Sequence, residues 1–466
     1  MLLSIATVAT ATLSLFVSHT HALPQPSLSN GRPSLQRRDN PQADGPRGGF
    51  LRGVNIGSWL VLEKWMVEDV FANTDATDQY TFDQLPDASA RLQTHWSTYF
   101  TEPDVQQLAT YGINALRIPI GYWAFDNSNT PYQSGAADYL DKALTWARAA
   151  GMVVWIDLHG APGSQNGFDN SGRAGDVSWQ ESPNLSQTIS VLSTIASRYG
   201  TNAYADVVQG IELVNEPISW GNNNFDVTKD WTTQAYATVR SAAENKGLQI
   251  IMHDAFQPAE AWLDVNAQLN SNNNNNDHND NNHQNYNNGN NNITKRNMPS
   301  GSTFALDTHL YQLFTPEDST LTQDAHILKA CDWSRTAFQP SARRAGLPVY
   351  AGEFTAVTNV CVNPDGSSVP GTSTADDCEG VQGCQCIVDT PTGDWSAVTR
   401  AQVKRYVDAQ LGVFEEASGG AGAAGGYFFW SWKAPGAWGF LNGVQGGWIA
   451  NPVQDYQRDV CNFIGR

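Results

Sequence analysis

Ile211-Glu212-Leu213-Val214-Asn215-Glu216-Pro217 is an apolar run that ends in carboxylates and is closed by proline. Strand side chains alternate between faces, so Glu212, Val214 and Glu216 are expected on one face. Pro217 has no N–H to give a ladder and marks the exit to a loop. Val349-Tyr350-Ala351-Gly352-Glu353-Phe354 likewise carries a carboxylate at the end of an apolar run. Eight apolar runs follow residue 48, at 50–57, 114–122, 152–160, 207–217, 249–255, 304–314, 348–354 and 426–433. They are continuous rather than alternating, as in strands covered on both faces. Helical patterns lie between several of them. Residues 136–150 put Leu140, Ala143, Leu144 and Ala147 on one face, and 399–417 do the same with Val403, Tyr406, Val407, Leu411 and Phe414. Eight strand–helix units predict an α/β fold, a (β/α)8 TIM barrel closed around a packed core, as a single catalytic domain. The rival, a doubly wound sheet, would bring a glycine-rich fingerprint after the first strand for a dinucleotide, and none is there.

Length and composition agree. The 466 residues suit one barrel with loop insertions, and 41% hydrophobic residues allow a large core. The formal charge of -19 repels polyanions, which argues against a nucleic-acid partner. Sixteen Trp suit stacking on the C–H faces of sugars, although most are equally at home in a core. Residues 1–17 are apolar without an acid, and Thr20-His21-Ala22 fits a small-residue cleavage site, so 1–22 reads as an export signal. Residues 23–38 read as a propeptide ending at the dibasic pair Arg37-Arg38, leaving 39–466 as the barrel domain. The run is too short for a membrane anchor, and the chain is expected to be secreted to the extracellular space or cell wall. Six cysteines on a secretory route make disulfides the expectation. Cys384 and Cys386 form a C-x-C with no matching Cys/His pair, so no metal and no cofactor is expected. Asn184-Leu185-Ser186 and Asn292-Ile293-Thr294 are glycosylation triplets. Residues 271–297, nearly all Asn at first and ending near Lys295-Arg296, cannot bury enough apolar area to offset their ordering entropy and are expected to be a disordered insert. Residues 362–393 read as a long loop pinned by disulfides.

In barrel enzymes chemistry sits where the strands end at their C-terminal side. The fourth and seventh strands face each other across an eight-stranded mouth, so Glu216 and Glu353 could flank one bond. Glycoside cleavage needs such a pair, one carboxyl to protonate the leaving oxygen and one to attack or to activate water. The alternative for each alone is a strand-end ion-pair residue.

These motifs resemble those of clan A glycoside hydrolases of family five, over roughly 48–466, and are most similar to the fungal secreted exo-β-1,3-glucanases. Leu213-Val214-Asn215-Glu216-Pro217 resembles the acid/base motif, Arg52 to Glu63 (RGVNIGSWLVLE) the opening motif, and Leu116 to Trp123 (LRIPIGYW) the second-strand motif. Asp157 to Gly172 (DLHGAPGSQNGFDNSG) is the most specific match, and His309-Leu310-Tyr311-Gln312 and Phe429-Trp430-Ser431-Trp432-Lys433 resemble the sixth- and eighth-strand ends. The resemblance implies an exo-acting, retaining β-1,3-glucanase that releases glucose from β-glucan, with Glu216 as acid/base and Glu353 as nucleophile; the alternatives are a β-1,6-glucanase or broad β-glucosidase of the same family, or a non-catalytic cell-wall glucan-binding protein, which the presence of both Glu argues against. It implies that Asn215 binds the sugar 2-hydroxyl, that Arg117 and His159 orient the pair, and that His309 and Tyr311 support the nucleophile. Glu63, Asp169, Asn170 and Trp432 would hold the terminal sugar. Phe168 and Phe314 would form an aromatic pair at the pocket entrance, joined by Phe256, unless these rings are ordinary packing. Cys331 would pair with Cys461, leaving Cys361, Cys378, Cys384 and Cys386 to staple the long loop in an order left open. The chain is expected to be a monomer. Ser58 and Lys64 depart from the usual Gly and Pro beside Glu63, which bears on substrate preference.

Overall fold

A computed structural model describes residues 49–276, 303–371, 378, 380–416, 422, 423 and 425–463. Residues 1–38, expected to hold an export signal and propeptide, lie outside the described residues, as do Asn292 and Lys295-Arg296. Eight parallel strands form the barrel: β1 Leu51–Asn55, β2 Ala115–Gly121, β3 Val153–Gly160, β4 Val208–Glu212, β5 Gln249–His253, β6 Phe304–Leu310, β7 Val349–Phe354 and β8 Gly426–Phe429. Each pairs with its neighbours in chain order, and β1 closes on β8. Each lies within one of the eight apolar runs. Helices Ala136–Ala149 and Ala397–Phe414 bury the faces expected of them.

Inside the barrel the strands stack residues in layers, because every second side chain points inward. The lower layer is apolar, with Leu51, Ala115, Val153, Trp155, Ile251, Ala305, Tyr350 and Phe428 packed as one buried cluster. Trp155 fills most of it, 4.8 Å from the Tyr350 ring and 4.7 Å from Phe428. Gly210 on β4 leaves that space open, since a Cβ there would come within 2.4 Å of Ile251 and 3.1 Å of the Trp155 ring. Two residues further along several strands the inward positions turn polar: Arg117 after Ala115, Asp157 after Trp155, Glu212 after Gly210, and Asp307 after Ala305. All four are fully buried. The barrel thus carries an apolar plug below and a charged floor above, facing the C-terminal mouth.

Two irregularities aim the terminal carboxylates. Thr308 pairs with Ala351 while the next residue, His309, pairs with Glu353, so β7 carries one extra residue at Gly352. The step from Tyr427–Ala351 to Phe429–Phe354 shows the same excess against β8. Such a bulge re-aims a side chain, and it turns Glu353 inward where simple alternation from Ala351 would not. β4 ends at Glu212, earlier than the sequence pattern implied. Glu216 therefore does not follow strand alternation. It sits on a turn with φ of 44°, held because Asn215 N donates to Leu158 O and the Gln165 amide donates to Asn215 O.

Cys331 bonds Cys461, tying helix Gln323–Thr336 to the C-terminal helix Val460–Phe463. Cys361 bonds Cys386 and Cys378 bonds Cys384. The expected long loop contains a small antiparallel sheet of Cys361–Val362, Ser368–Val369 and Gln385–Cys386. The Asn-rich segment is corrected at its start. Helix Leu263–Asn276 runs into it, because an established helix propagates into residues that would not nucleate one. Residues 277–302 lie outside the described residues. The chain returns at Thr303, whose carbonyl accepts from Ile250 N at the start of β5, on the face opposite the mouth. Replacing 277–300 by a short Gly/Ser linker should leave kcat/KM within about threefold, under about 1 kcal/mol of barrier, since loop closure depends weakly on length. Kinetics on a polymer and on a small aryl glucoside check this; a tenfold loss on the polymer alone would contradict it.

Candidate active site

Arg117 organises the floor of the mouth. Its Nε and Nη2 donate to both oxygens of Glu212, at 2.8 and 3.0 Å. Nη2 also donates to Asn215 Oδ1 at 2.8 Å, and Nη1 donates to Asn55 Oδ1 at 3.0 Å and Glu353 Oε1 at 2.8 Å. Asp157 and Asp307 complete the surround at 3.2 and 3.5 Å. Burial alone would pull the guanidinium down, but the carboxylates hold it well above its ordinary range. Glu212 is pushed well up by burial against the pull of Arg117.

Both Glu353 oxygens accept: Oε1 from Arg117, Oε2 from the Tyr311 hydroxyl at 2.6 Å. Glu216 Oε1 lies 2.6 Å from His309 Nδ1 and its Oε2 accepts from Asn170 Nδ2 at 3.0 Å. The same His309 nitrogen lies 3.3 Å from Glu353 Oε2. Glu216 Oε1 and Glu353 Oε2 are therefore no more than the sum of these two distances apart, about 6 Å. One oxygen of each carboxyl thus meets the same histidine nitrogen. Burial raises Glu353 above its usual range, partly offset by His309 and Arg117. Burial would raise Glu216 as well, but the hydrogen bond and charge of His309 bring it to about 2. Taken alone, those directions would name Glu216 the ionised nucleophile. The hydrogen bonds decide otherwise. The proton that keeps Glu216 low sits one bond away on His309, so the pair holds a proton to give. Both carboxyls have a donor on each oxygen, but the donors differ: Glu216 is bonded to His309, which can pass its proton on, whereas Glu353 is bonded to Arg117 and Tyr311, both held well above their ordinary ranges and so keeping theirs.

The remaining expected residues fall around this pair, with one exception. His159 Nδ1 lies 2.6 Å from the Asp157 carboxylate oxygen Oδ2, while its buried Nε2 has no protein partner among the described residues. Glu63 is buried; Trp65 Nε1 donates to its Oε2 at 3.0 Å, and burial and the nearby Asp169 push it well up. Asn170 is aimed by Asn166, whose Nδ2 donates to Asn170 Oδ1. Phe168, Phe256 and Phe314 are exposed, Phe314 by 70%, as rings at an entrance are. Phe314 stacks edgewise on Tyr311, and Phe256 on His253. The exception is Trp432, which is 1% exposed and gives its Nε1 to Asp104 on helix Glu102–Thr110. It packs with Tyr111 and Phe440, behind the strand end, not at the mouth. The tryptophan at the site is Trp430, stacked on His159 with ring centroids 5.7 Å apart and planes within 9°. Both follow β8 and lie two residues apart, so strand parity could not separate them. Trp65, Trp220 and Trp438 were also not anticipated. Trp438 packs between Trp65 and Tyr311, joining the Glu63 side to the Glu353 side. Trp220, half exposed, contacts Phe256. None ends an apolar run, the one signal that marked the carboxylates.

Asn184, of the first glycosylation triplet, is half-buried. Asn184 Nδ2, the atom a glycan would occupy, donates to Ser178 O at 2.8 Å and lies against Gly163. Of metal-like groupings, Glu216, His253 and His309 bring ligand atoms within 4.8 Å of one another. Ala255 N already donates to His253 Nδ1, and Glu216 and His309 are joined by their own hydrogen bond. The grouping is thus organised around a proton. Cys361, Cys378 and Cys386, also grouped, are all disulfide-bonded.

Two carboxyls at the ends of β4 and β7, beside an Asn and over a buried Arg, mark a glycoside hydrolase. Residues 75–369 match the family model described as Cellulase (glycosyl hydrolase family 5). The chain is 35% identical over 397 residues to the probable glucan 1,3-beta-glucosidase A of Aspergillus niger, covering 83% of this chain and 84% of that one. It is 34% identical over 429 residues to the glucan 1,3-beta-glucosidase of Candida oleophila, covering 87% and 90%. A solved rutinosidase from Aspergillus niger shares the fold, with a TM-score of 0.61 at 18% identity, over 86% of this chain and 98% of that one. The chain belongs to glycosyl hydrolase family 5.

The tryptophan assignment is testable. Trp430→Ala should lower kcat/KM at least about tenfold, roughly 1.4 kcal/mol of barrier. Trp432→Phe, which removes the bond to Asp104 and part of the buried ring, should leave kcat/KM within about threefold and lower the melting temperature. Steady-state kinetics with thermal melts decide it, and the reverse ranking would restore Trp432 to the site.

Proposed function

We propose that this family 5 enzyme is a secreted, exo-acting, retaining glucan 1,3-β-glucosidase that releases glucose from chain ends. The observation that carries the reading is that Glu216 and Glu353 meet across one histidine nitrogen, each also held by donors of its own, in a chain of family 5. In the first step Glu353 attacks the anomeric carbon while the Glu216–His309 pair gives its proton to the departing oxygen. In the second, water attacks and returns a proton to the pair, with overall retention. Asn215 suits the 2-hydroxyl: Arg117 occupies its Oδ1, and its buried Nδ2 has no protein partner. Glu63, Asp169 and Asn170 are proposed to hold the terminal sugar, with Trp430 beneath it. The turn carrying Phe168 to Asn170 sits against Glu216, and Phe168, Phe256 and Phe314 rim the opening, which supports a pocket closed at one end. The curated relatives named glucan 1,3-beta-glucosidase support the linkage. Three disulfides support an oxidising destination, and the export signal 1–22 and propeptide 23–38 belong to the same reading, as does a monomeric state. No described helix is long and apolar enough to cross a membrane.

Incubation with laminarin and with pustulan, followed by proton NMR from the first turnover, tests this. The expected first product is β-glucose from laminarin, with slow loss of viscosity. Initial α-glucose would overturn the mechanism, early mixed oligosaccharides the exo action, and preference for pustulan the linkage. Glu353→Gln should lower kcat more than about a thousandfold, roughly 4 kcal/mol. Glu216→Ala should retain far more activity on a dinitrophenyl glucoside than on a phenyl glucoside, because an activated leaving group needs no acid.

A further inference from the structure

His309 has an acid at each ring nitrogen. Nδ1 faces Glu216 and Glu353, at 2.6 and 3.3 Å, and Nε2 lies 3.3 Å from Asp307 Oδ2. Asp307 precedes His309 by two on β6, is fully buried, and lies 3.5 Å from Arg117 Nε through the same oxygen. The bulge on β7 makes its room: a Cβ on Gly352 would fall 1.9 Å from both Asp307 oxygens. None of the roles above uses this carboxylate. We propose that Asp307 is a positioning residue that, by pairing with His309 Nε2, orients the ring toward Glu216 and sets the alkaline limit to which the site keeps its catalytic proton. The proposal rests on reading Glu216 as the acid/base.

A neutral imidazole has one N–H, so it can donate at Nδ1 or Nε2 but not at both. An acid at each nitrogen favours the doubly protonated cation. Around the ring, Glu216, Glu353 and Asp307 favour that charge, and Asp254 at the exit of β5 adds to them at longer range. Arg117 beside Asp307 opposes it. His253, 4.4 Å away by ring centroid, is held well below its ordinary range, chiefly by burial, and so contributes little charge; Tyr311 lies 6.4 Å away. Burial works against the His309 cation, but Glu353 and Asp307 hold the ring well above its ordinary range. In the first step the bond from the anomeric carbon to the departing oxygen breaks and its electron pair stays on that oxygen. The oxygen takes a proton through Glu216, to which His309 Nδ1 passes its own in the same step, so that Glu216 ends as a carboxylate. His309 is left neutral, with its remaining N–H on Nε2 toward Asp307. Water then attacks the anomeric carbon, the bond from that carbon to Glu353 breaks with its electron pair returning to the carboxylate, and the proton lost by the water passes to Glu216 and restores the pair.

The test is kcat/KM for phenyl β-glucoside against pH, for Asp307→Asn alone and in a His309→Asn background. With His309 present, the alkaline limb should move to lower pH by about one unit or more, the shift expected on losing an adjacent opposite charge. Without His309, Asp307→Asn should not move it further. An unmoved limb, or an equal shift in both backgrounds, would overturn the proposal. If Asp307→Asn does not melt cooperatively, Asp307→Ser makes the same comparison. The underlying reading fails separately: Glu216→Ala would then lose the dinitrophenyl substrate as completely as the phenyl one, whatever the limb does.

Discussion

One guanidinium holds the working end of this barrel together. Arg117 rises from β2 and meets Asn55 at the end of β1, Asp157 on β3, Glu212 and Asn215 at the end of β4, Asp307 on β6 and Glu353 on β7. A buried charge is tolerated only where it is paired and hydrogen-bonded, and removing one partner of a buried pair typically costs about 3–5 kcal/mol. The network is therefore weak evidence for stability and stronger evidence for precision. It fixes one carboxylate oxygen of Glu353 and the amide of Asn215 from the same planar fork, which a lysine could not do.

The layer beneath makes that precision affordable in structural terms. Trp155, Tyr350 and Phe428 fill the lower barrel, so the charged floor rests on close-packed rings rather than on water. Two local departures from regular strand geometry, the bulge at Gly352 and the left-handed turn at Glu216, bring the catalytic pair within reach of one histidine. Ser58 shows the same economy. It stands in a left-handed conformation with φ of 56°, where glycine is the easier residue, and its hydroxyl accepts from Glu63 N and donates to Glu63 O. The departure from the usual glycine thus ties down the loop that presents Glu63.

Much of this was legible in the sequence because barrel strands announce themselves as buried runs, and because chemistry collects where those runs end. That logic located the eight strands, Glu216 and Glu353, while the residues that surround them were implied by the resemblance to family five. It missed what parity cannot see. Glu353 faces inward only through the extra residue at Gly352, and Glu216 lies past the end of its strand. Trp430 and Trp432 share a parity, and only the packing of Trp432 against Asp104, Tyr111 and Phe440 tells them apart. Glu212, Asp157 and Asp307 lie inside apolar runs, where a lone acid reads as an irregularity until the arginine that pairs with it is placed in three dimensions.

The central claim is that Glu353, held by Arg117 and Tyr311, forms the covalent bond to sugar while Glu216 and His309 manage the proton. The most direct measurement is mass spectrometry after reaction with a 2-deoxy-2-fluoro-β-glucosyl fluoride, which slows the second step more than the first. The account predicts one added fluoroglucosyl group, on the peptide containing Glu353. A label on Glu216, or inactivation with no label on either carboxylate, would contradict it.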